Sequence, residues 1–182
     1  MIYLPTGNST PDFWGGHRSA ASDRYSSSVV ALDIATGRER WRFQTVHHDL
    51  WDYDVPSQPA LYDVADGHGG VIPALIQTTK RGEIFMLDRR NGKPVAAVEE
   101  RPVPQGGMAD DRLAPTQPFS VGMPSIGTEP LSEARMWGLT LVDQLACRVA
   151  FLQSRYEGIF TPPGERQTIQ YPSWLGGMNW GS

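Results

Sequence analysis

The sequence of 182 residues contains a single cysteine, Cys147. One thiol excludes an intrachain disulfide framework and any zinc site built from several cysteines. The neighbours Leu145, Ala146 and Val149 are apolar, and no histidine lies close in the sequence to act as a base. We therefore predict that Cys147 is a buried and unreactive thiol.

Long apolar runs and basic clusters are lacking as well. No stretch approaches the roughly 18 consecutive apolar residues of a membrane-spanning helix, and no signal peptide is recognisable at Met1. Sixteen Lys and Arg against twenty Asp and Glu give a net charge of −4, which argues against nucleic-acid binding. Both ends look cut, so we expect residues 1–182 to be an internal fragment. The missing targeting signals then say nothing about the complete protein.

Short runs of strand-forming residues fill most of the sequence. The 19 glycines and 15 prolines are spread throughout and separate runs such as 28–34, 40–46, 71–78 and 83–88. Helical periodicity is missing before about residue 130. The sequence therefore predicts an all-β fold built from many short strands.

One hairpin pattern occurs twice. Asp33 and Asp88 each follow a leucine and precede two residues, a Thr or Asn, a Gly and basic residues. The glycine can adopt a positive φ in the turn, and the aspartate can accept turn N–H groups. Recurrence at this spacing is typical of the radial repeats of a β-propeller, although two copies also fit two unrelated hairpins. At 40–50 residues per blade, about three blades would fit, and we expect Trp41 to pack on a neighbouring blade.

The second half of the chain is less regular. Residues 98–132 form a long proline-rich connection, and a loop of this length is more often functional or disordered than a simple connector. Ser132 is the predicted N-cap of a short helix over 131–137. We interpret residues 143–155 as a helix that turns into a strand.

Residues 47–56 hold the densest group of polar and aromatic side chains. If the backbone is extended, Asp52 and Asp54 share a face, and two carboxylates on one face repel unless a proton or cation joins them. Such oxygen ligands suit Ca²⁺ or Mg²⁺ rather than zinc, and a carboxylate beside a substrate hydroxyl can act as a general base. The alternative is a polar loop in which the aspartates cap turns. We expect His47 and His48 to be solvated or hydrogen-bonded rather than metal ligands.

The segment 45–56 resembles the active-site segment of dehydrogenases that use pyrroloquinoline quinone (PQQ), and its His-His pair resembles the membrane-bound glucose/quinate/shikimate group. Further agreement in the same order covers nearly the whole chain, at residues 3–8, 11–16, 26–33, 79–85, 88–94, 143–148 and 155–163. The resemblance implies an eight-bladed β-propeller with PQQ near its axis. This all-β chain would then be a partial propeller of about three blades.

The resemblance also assigns roles to three residues. Asp52 matches the catalytic carboxylate, which takes the proton of the substrate hydroxyl while hydride passes to the C5 carbonyl of PQQ, and which also ligates the metal. Asn8 matches an asparagine that coordinates the metal beside the cofactor. Lys80 matches the basic residue that contacts the quinone oxygens. Asp49 is the alternative base. Without the resemblance, Asn8 and Lys80 would be interpreted as turn residues.

The implied activity is the oxidation of an aldose sugar or cyclic polyol, with PQQ and a divalent metal (Ca²⁺ or Mg²⁺) as cofactors and ubiquinone as electron acceptor. The complete protein would be periplasmic and anchored to the inner membrane. Asp54 matches a position that accompanies lanthanide use in methanol-oxidising relatives, but an Asp is ordinary there in the sugar-oxidising group, so we infer no lanthanide from it. Further cofactor ligands would lie outside this chain, and the fragment alone should be inactive.

Two alternatives stay open. A soluble PQQ-dependent alcohol dehydrogenase would carry a cysteine pair next to the active site, whereas Cys147 stands alone. A non-enzymatic propeller scaffold protein would carry similar hairpins, but it would not explain Asn8, Lys80 and residues 47–56 together.

Overall fold

The computed structural model describes residues 1–180. Within them, eight strands form three antiparallel sheets, in the orders β1-β2-β3, β4-β5-β6 and β7-β8. The strands are β1 (Ile2–Pro5), β2 (Ser28–Leu32), β3 (Glu39–Gln44), β4 (Ala60–Ala65), β5 (Val71–Thr78), β6 (Ile84–Asp88), β7 (Val98–Pro102) and β8 (Thr116–Ser120). The helices are α1 (Ala20–Tyr25), a 3-10 turn (Glu133–Arg135) and α2 (Leu141–Gln153). The predicted all-β class is confirmed, and the three sheets agree with about three blades.

Both predicted hairpin turns form in the same way. Oδ1 of Asp33 accepts the backbone N–H groups of Ala35 and Thr36, each at 3.0 Å. In the second copy, Oδ1 of Asp88 accepts the N–H of Arg90 at 2.9 Å. Glycine closes each turn at positive φ, with +68° at position 37 and +74° at position 92. The repeated sequence pattern therefore encodes a repeated structure.

Trp41 joins the first sheet to the second. Its side chain is buried with Leu75 and Leu87 of the second sheet, and its indole N–H donates to the carbonyl of Arg89 at 3.0 Å. A Cβ on Gly92 would lie only 2.6 Å from the indole ring, so the second hairpin turn seats the tryptophan directly. The predicted packing of Trp41 on a neighbouring blade is confirmed.

A second core anchors the polar segment 47–56. Trp51 donates its indole N–H to the carbonyl of Thr161 at 2.7 Å, and the hydroxyl of Tyr53 donates to the carbonyl of Ile159 at 2.9 Å. Phe160 packs against both rings. The segment is therefore fixed by residues more than 100 positions away, as the sequence separations of 110 and 106 show.

The region after residue 97 departs from several predictions. The connection 98–132 contains the strand pair β7-β8, so the prediction of one long loop was wrong there. Ser132 does occupy an N-cap position, but its side chain makes no capping bond and only a 3-10 turn follows. Helix α2 confirms the helical part of 143–155. The strand part is reduced to a single bridge between Arg155 and Thr168.

Cys147 is exposed, so the prediction of a buried thiol was wrong. None of the residues of α2 is buried, and the apolar neighbours of Cys147 lie on a helix that contacts little else. Apolar neighbours in sequence indicate burial only where the element packs on a core. In the described part of the chain, no helix combines the length and apolar character needed to cross a membrane.

Candidate active site

The three residues singled out from the sequence meet at one place. Nζ of Lys80 lies 2.9 Å from Oδ2 of Asp52 and 2.5 Å from Oδ2 of Asp54. The backbone N–H of Asn8 donates to Oδ1 of Asp54 at 2.5 Å. The segments following β1, β3 and β5 supply these residues, and Asp54 links them.

Asp49 organises the turn that presents Asp52. The Asp49 carboxylate is fully buried and accepts the Ser27 hydroxyl at 2.5 Å. It also accepts the backbone N–H groups of Trp51 at 2.8 Å and Tyr53 at 2.9 Å. The resulting turn holds Asp52 at φ +58°, a left-handed conformation that costs a non-glycine residue about 1–3 kcal/mol. The assumption of an extended backbone was therefore wrong, although both carboxylates do share one cation.

Burial and charge set the protonation behaviour of this cluster. Burial raises the pKa of Asp52, Lys80 opposes that rise through its hydrogen bond, and the neighbouring charge of Asp54 adds to it. Burial alone would lower the pKa of Lys80, but its hydrogen bonds to Asp54 and Asp52 raise it overall. Lys80 is only 6% exposed and is not a solvated turn lysine. A permanent positive charge is thus held between two carboxylates.

The geometry favours Asp52 over Asp49 as a base. Burial raises the pKa of Asp49 to about 6, but its oxygens already serve three donors and none of its surface is open to solvent. The side chain of Asp52 is 18% exposed, and within residues 1–180 its carboxylate is hydrogen-bonded only to Lys80. A general base must reach its substrate, and of the two, Asp52 has the open face.

Asn8 is held within its own loop. Its side-chain oxygen accepts the N–H of Ser9 at 2.8 Å and the hydroxyl of Ser26 at 3.1 Å, and its amide nitrogen donates to the carbonyl of Asp12 at 3.0 Å. The oxygens of Asn8 and Asp52 are of the kind that Ca²⁺ and Mg²⁺ prefer. No group of three or more His, Cys, Asp or Glu side chains converges as a metal site within residues 1–180. The chain therefore offers ligands of the right type but not a complete set.

The sequence alone did not reveal that His48 is buried or which residues it contacts. Nδ1 of His48 lies 2.7 Å from Asp23 and Nε2 lies 2.9 Å from Asp111. His47 contacts Gln44 and Glu100, each at 3.0 Å. The prediction of hydrogen-bonded histidines is confirmed. Asp23 and Asp111 lie 25 and 63 residues away from His48, and no local pattern in the sequence marks them.

Comparison with known families defines the class of this protein. All of residues 1–182 match the model of the PQQ family described as glucose/ethanol/alcohol dehydrogenase, β-propeller domain. The chain therefore belongs to the β-propeller family of PQQ-dependent dehydrogenases, which confirms the resemblance stated from the sequence.

Three individual proteins of this family show how similar the chain is to its relatives. The chain is 51% identical over 180 residues to a probable quinate dehydrogenase (quinone) of Xanthomonas campestris pv. juglandis, covering 99% of this chain and 23% of that protein. It is 51% identical over 181 residues to the quinoprotein glucose dehydrogenase of Escherichia coli (strain K12), covering 100% and 22%. It is 50% identical over 184 residues to the glycerol dehydrogenase large subunit of Gluconobacter thailandicus, covering 100% and 25%. The chain thus spans about a quarter of the length of these relatives.

Proposed function

We propose that this chain is the central part of a PQQ-dependent dehydrogenase that oxidises an aldose sugar or a cyclic polyol and delivers the electrons to ubiquinone. The observation that carries the proposal is the cluster of Asn8, Asp52, Asp54 and Lys80, because it places an open carboxylate beside a buried cation. The names of the relatives support the substrate class, since quinate, glucose and glycerol all offer CH–OH groups for oxidation.

Asp52 is the proposed general base. Its partly exposed carboxylate would take the proton of the substrate hydroxyl, and the elevated pKa brings it closer to the range in which a base works well. Asp54 would keep Lys80 in place through its short contact with Nζ. The carboxylate that would take the proton, Asp52, is thus a different one from Asp54, which makes the shorter contact with Lys80.

Lys80 and Asn8 would hold the cofactors. When bound, PQQ would supply the hydride-accepting chemistry, and Ca²⁺ or Mg²⁺ would supply Lewis-acid chemistry. Lys80 would stabilise negative charge on the quinone oxygens, because a positive charge in a buried site acts strongly. Asp52 would contribute an oxygen ligand to the metal, and Asn8 would do so by exchanging the hydrogen bonds that its side-chain oxygen accepts from Ser9 and Ser26 for the ion. The remaining ligands would come from parts of the protein outside this chain.

The cellular setting follows from the electron acceptor. Ubiquinone lies in the membrane, so the complete protein would be anchored in the inner membrane with its propeller in the periplasm. The soluble alcohol dehydrogenase alternative gains no support from the lone, exposed Cys147. A scaffold protein would have no need of a buried lysine between two carboxylates.

The test is reconstitution of the full-length apoprotein with PQQ and Ca²⁺ or Mg²⁺, followed by assays with aldoses, quinate and simple alcohols. We expect PQQ-dependent reduction of a ubiquinone analogue with an aldose or quinate, and much weaker turnover with simple alcohols. A preference for simple alcohols would favour the alcohol dehydrogenase. Absence of PQQ-dependent turnover with every substrate would contradict the proposed function.

A further inference from the structure

We propose that His48 is a positioning residue: a doubly hydrogen-bonded imidazolium that fastens two loops around the candidate active site. The first loop comprises residues 9–18 and the second residues 103–115. The effect on substrate binding rests on the proposed function, whereas the fastening of the loops does not.

With both neighbouring carboxylates ionised, the ring must donate from both nitrogens to satisfy its surroundings. The His48 side chain is 1% exposed, with Nδ1 2.7 Å from Oδ1 of Asp23 and Nε2 2.9 Å from Oδ1 of Asp111. An ionised carboxylate can only accept hydrogen bonds, and a neutral imidazole has a single N–H. A neutral ring would therefore turn a lone pair towards one of the carboxylates. The protonated ring satisfies both contacts and places one positive charge between two negative ones.

The outer oxygens of the two carboxylates are also engaged. Oδ2 of Asp111 accepts the backbone N–H of Gly15 at 2.6 Å, and Arg112 pairs with Oδ2 of Asp23. The side chain of Asp111 is 2% exposed, so its loss of hydration must be offset by these bonds. We call the group of Asp23, His48 and Asp111 the histidine clasp.

The first loop is held to the clasp by the Gly15 N–H and by close contact, whereas Asp23 lies in α1, which begins directly after that loop. A Cβ on Gly15 would lie 2.5 Å from Cε1 of His48, and a Cβ on Gly16 would lie 2.7 Å from the carbonyl oxygen of Asp110. Both glycines therefore allow an approach that other residues would prevent. His48 itself has φ +44°, a conformation that persists only where its surroundings impose it.

The first loop is connected to the candidate site at both of its ends. Asn8 precedes it and bonds the carbonyl of Asp12, while Arg18 at its end donates to the carbonyl of Asp49 at 2.6 Å. Asp49 directly follows His48 and organises the turn of Asp52. Release of the clasp would therefore disturb the placement of Asn8 and of Asp52 together.

The experiment compares His48→Gln with His47→Gln in the full-length protein. The two changes are identical and adjacent, but the His47 side chain is 36% exposed. Glutamine cannot donate in the two opposite directions of the imidazolium, so one charged hydrogen bond of the clasp is lost. Loss of such a bond should open the loops roughly 10- to 100-fold more often, which corresponds to about 1.4–2.8 kcal/mol.

The first measurement is trypsin cleavage of the folded apoprotein, because Arg18 and Arg112 lie in the two clasped loops. We expect His48→Gln to accelerate cleavage at both by roughly tenfold or more, with cleavage at Arg135 as the internal reference. His47→Gln should match the wild type. Equal cleavage in all three proteins would overturn the clasp. Should His48→Gln fail to fold, Asp111→Asn serves as the second variant, with the same expected result.

The second measurement separates positioning from a general folding defect. A folding defect lowers the fraction of loaded enzyme, and hence Vmax, but leaves KM unchanged. Misplaced loops should raise the KM for substrate by roughly tenfold, since small displacements at a site have large effects. A lowered Vmax with unchanged KM would overturn the positioning role. If the wild type lacked PQQ-dependent turnover, the proposed function would fail, while the trypsin result would still decide the clasp.

Discussion

The first half of the chain and the region after residue 97 differ in how far their apolar side chains are buried. The first two sheets bury most of the apolar core, and, prolines aside, the buried apolar residues of the described chain beyond residue 97 are Phe160 and Met178. By contrast, α2 has no buried residue, and Leu141, Leu145 and Leu152 are 62–85% exposed. Apolar side chains are therefore buried in the first two sheets but exposed on α2. The candidate site lies where packing is dense enough to hold charged groups in place.

The largest expected effect on stability comes from removing the tryptophan between the first two sheets. Trp41→Ala should lower the free energy of unfolding by about 3–5 kcal/mol, the usual range for a buried aromatic residue, because its contacts with Leu75 and Leu87 are lost. Thermal or denaturant unfolding of the complete protein measures this. A loss below about 1 kcal/mol, as for an exposed residue, would show that the sheets do not depend on this contact.

The buried carboxylate of Asp49 should make stability depend on pH. Burial raises its pKa from 3.8 to about 6, so between these values the folded state keeps a proton that the unfolded state releases. Its contribution to stability therefore falls as pH rises through this window, by about 3 kcal/mol in total at 1.36 kcal/mol per pKa unit. Asp49→Asn cannot ionise. The difference in unfolding free energy between wild type and Asp49→Asn should thus change between pH 4 and 6.5, and a constant difference would contradict the burial argument.

The repeated hairpin offers a matched pair of glycines. Gly37→Ala should cost only the left-handed penalty of about 1–2 kcal/mol, because no atom lies within 4 Å of the added Cβ. Gly92→Ala adds a clash with the indole of Trp41 at 2.6 Å, which should bring a further loss of about 1–3 kcal/mol. Parallel denaturant titrations would reveal the difference. Equal losses would mean that the second turn does not seat Trp41.

The smallest expected effect lies on α2. Leu145→Ser exchanges a side chain that is 62% exposed, so the unfolding free energy should change by no more than about 0.5–1 kcal/mol, which includes the lower helix propensity of serine. Leu75→Ser, at a fully buried position, is the matched control and should be strongly destabilising. A large loss for Leu145→Ser in the complete protein would show that α2 is covered there, and the contrast between the two regions would need revision.

Local patterns in the sequence predicted the local structure of the first half well. The Asp and Gly of each hairpin determine their own turn, so the hairpins could be predicted from a few residues, and the strand at 71–78 agrees with β5 as observed. Regions whose structure depends on distant partners were predicted less well. β7 and β8 pair across a proline-rich stretch that lacks a hairpin pattern, and the exposure of Cys147 depends on whether α2 packs on a core.

The candidate site likewise has features that could be predicted from the sequence and features that could not. The resemblance identified Asn8, Asp52 and Lys80, and the structure brings them together. It could not show that Asp54 links them, that the turn of Asp52 depends on Asp49, or that His48 lies between two distant carboxylates. Those features arise from contacts among segments that are separate in the sequence. The catalytic and binding roles of Asn8, Asp52 and Lys80 stay predictions.

The most direct test of the account is the kinetic comparison of Asp52→Asn with Lys80→Ala in the full-length, PQQ-reconstituted protein. Asparagine keeps the size of the side chain but cannot take the substrate proton, so turnover should fall by about 10²- to 10⁴-fold while PQQ binding, measured by titration of the apoprotein, stays largely intact. Lys80→Ala should weaken PQQ binding as well as turnover, because it removes the buried positive charge. Near-normal turnover of Asp52→Asn at saturating PQQ and metal would contradict the assignment of Asp52 as the base.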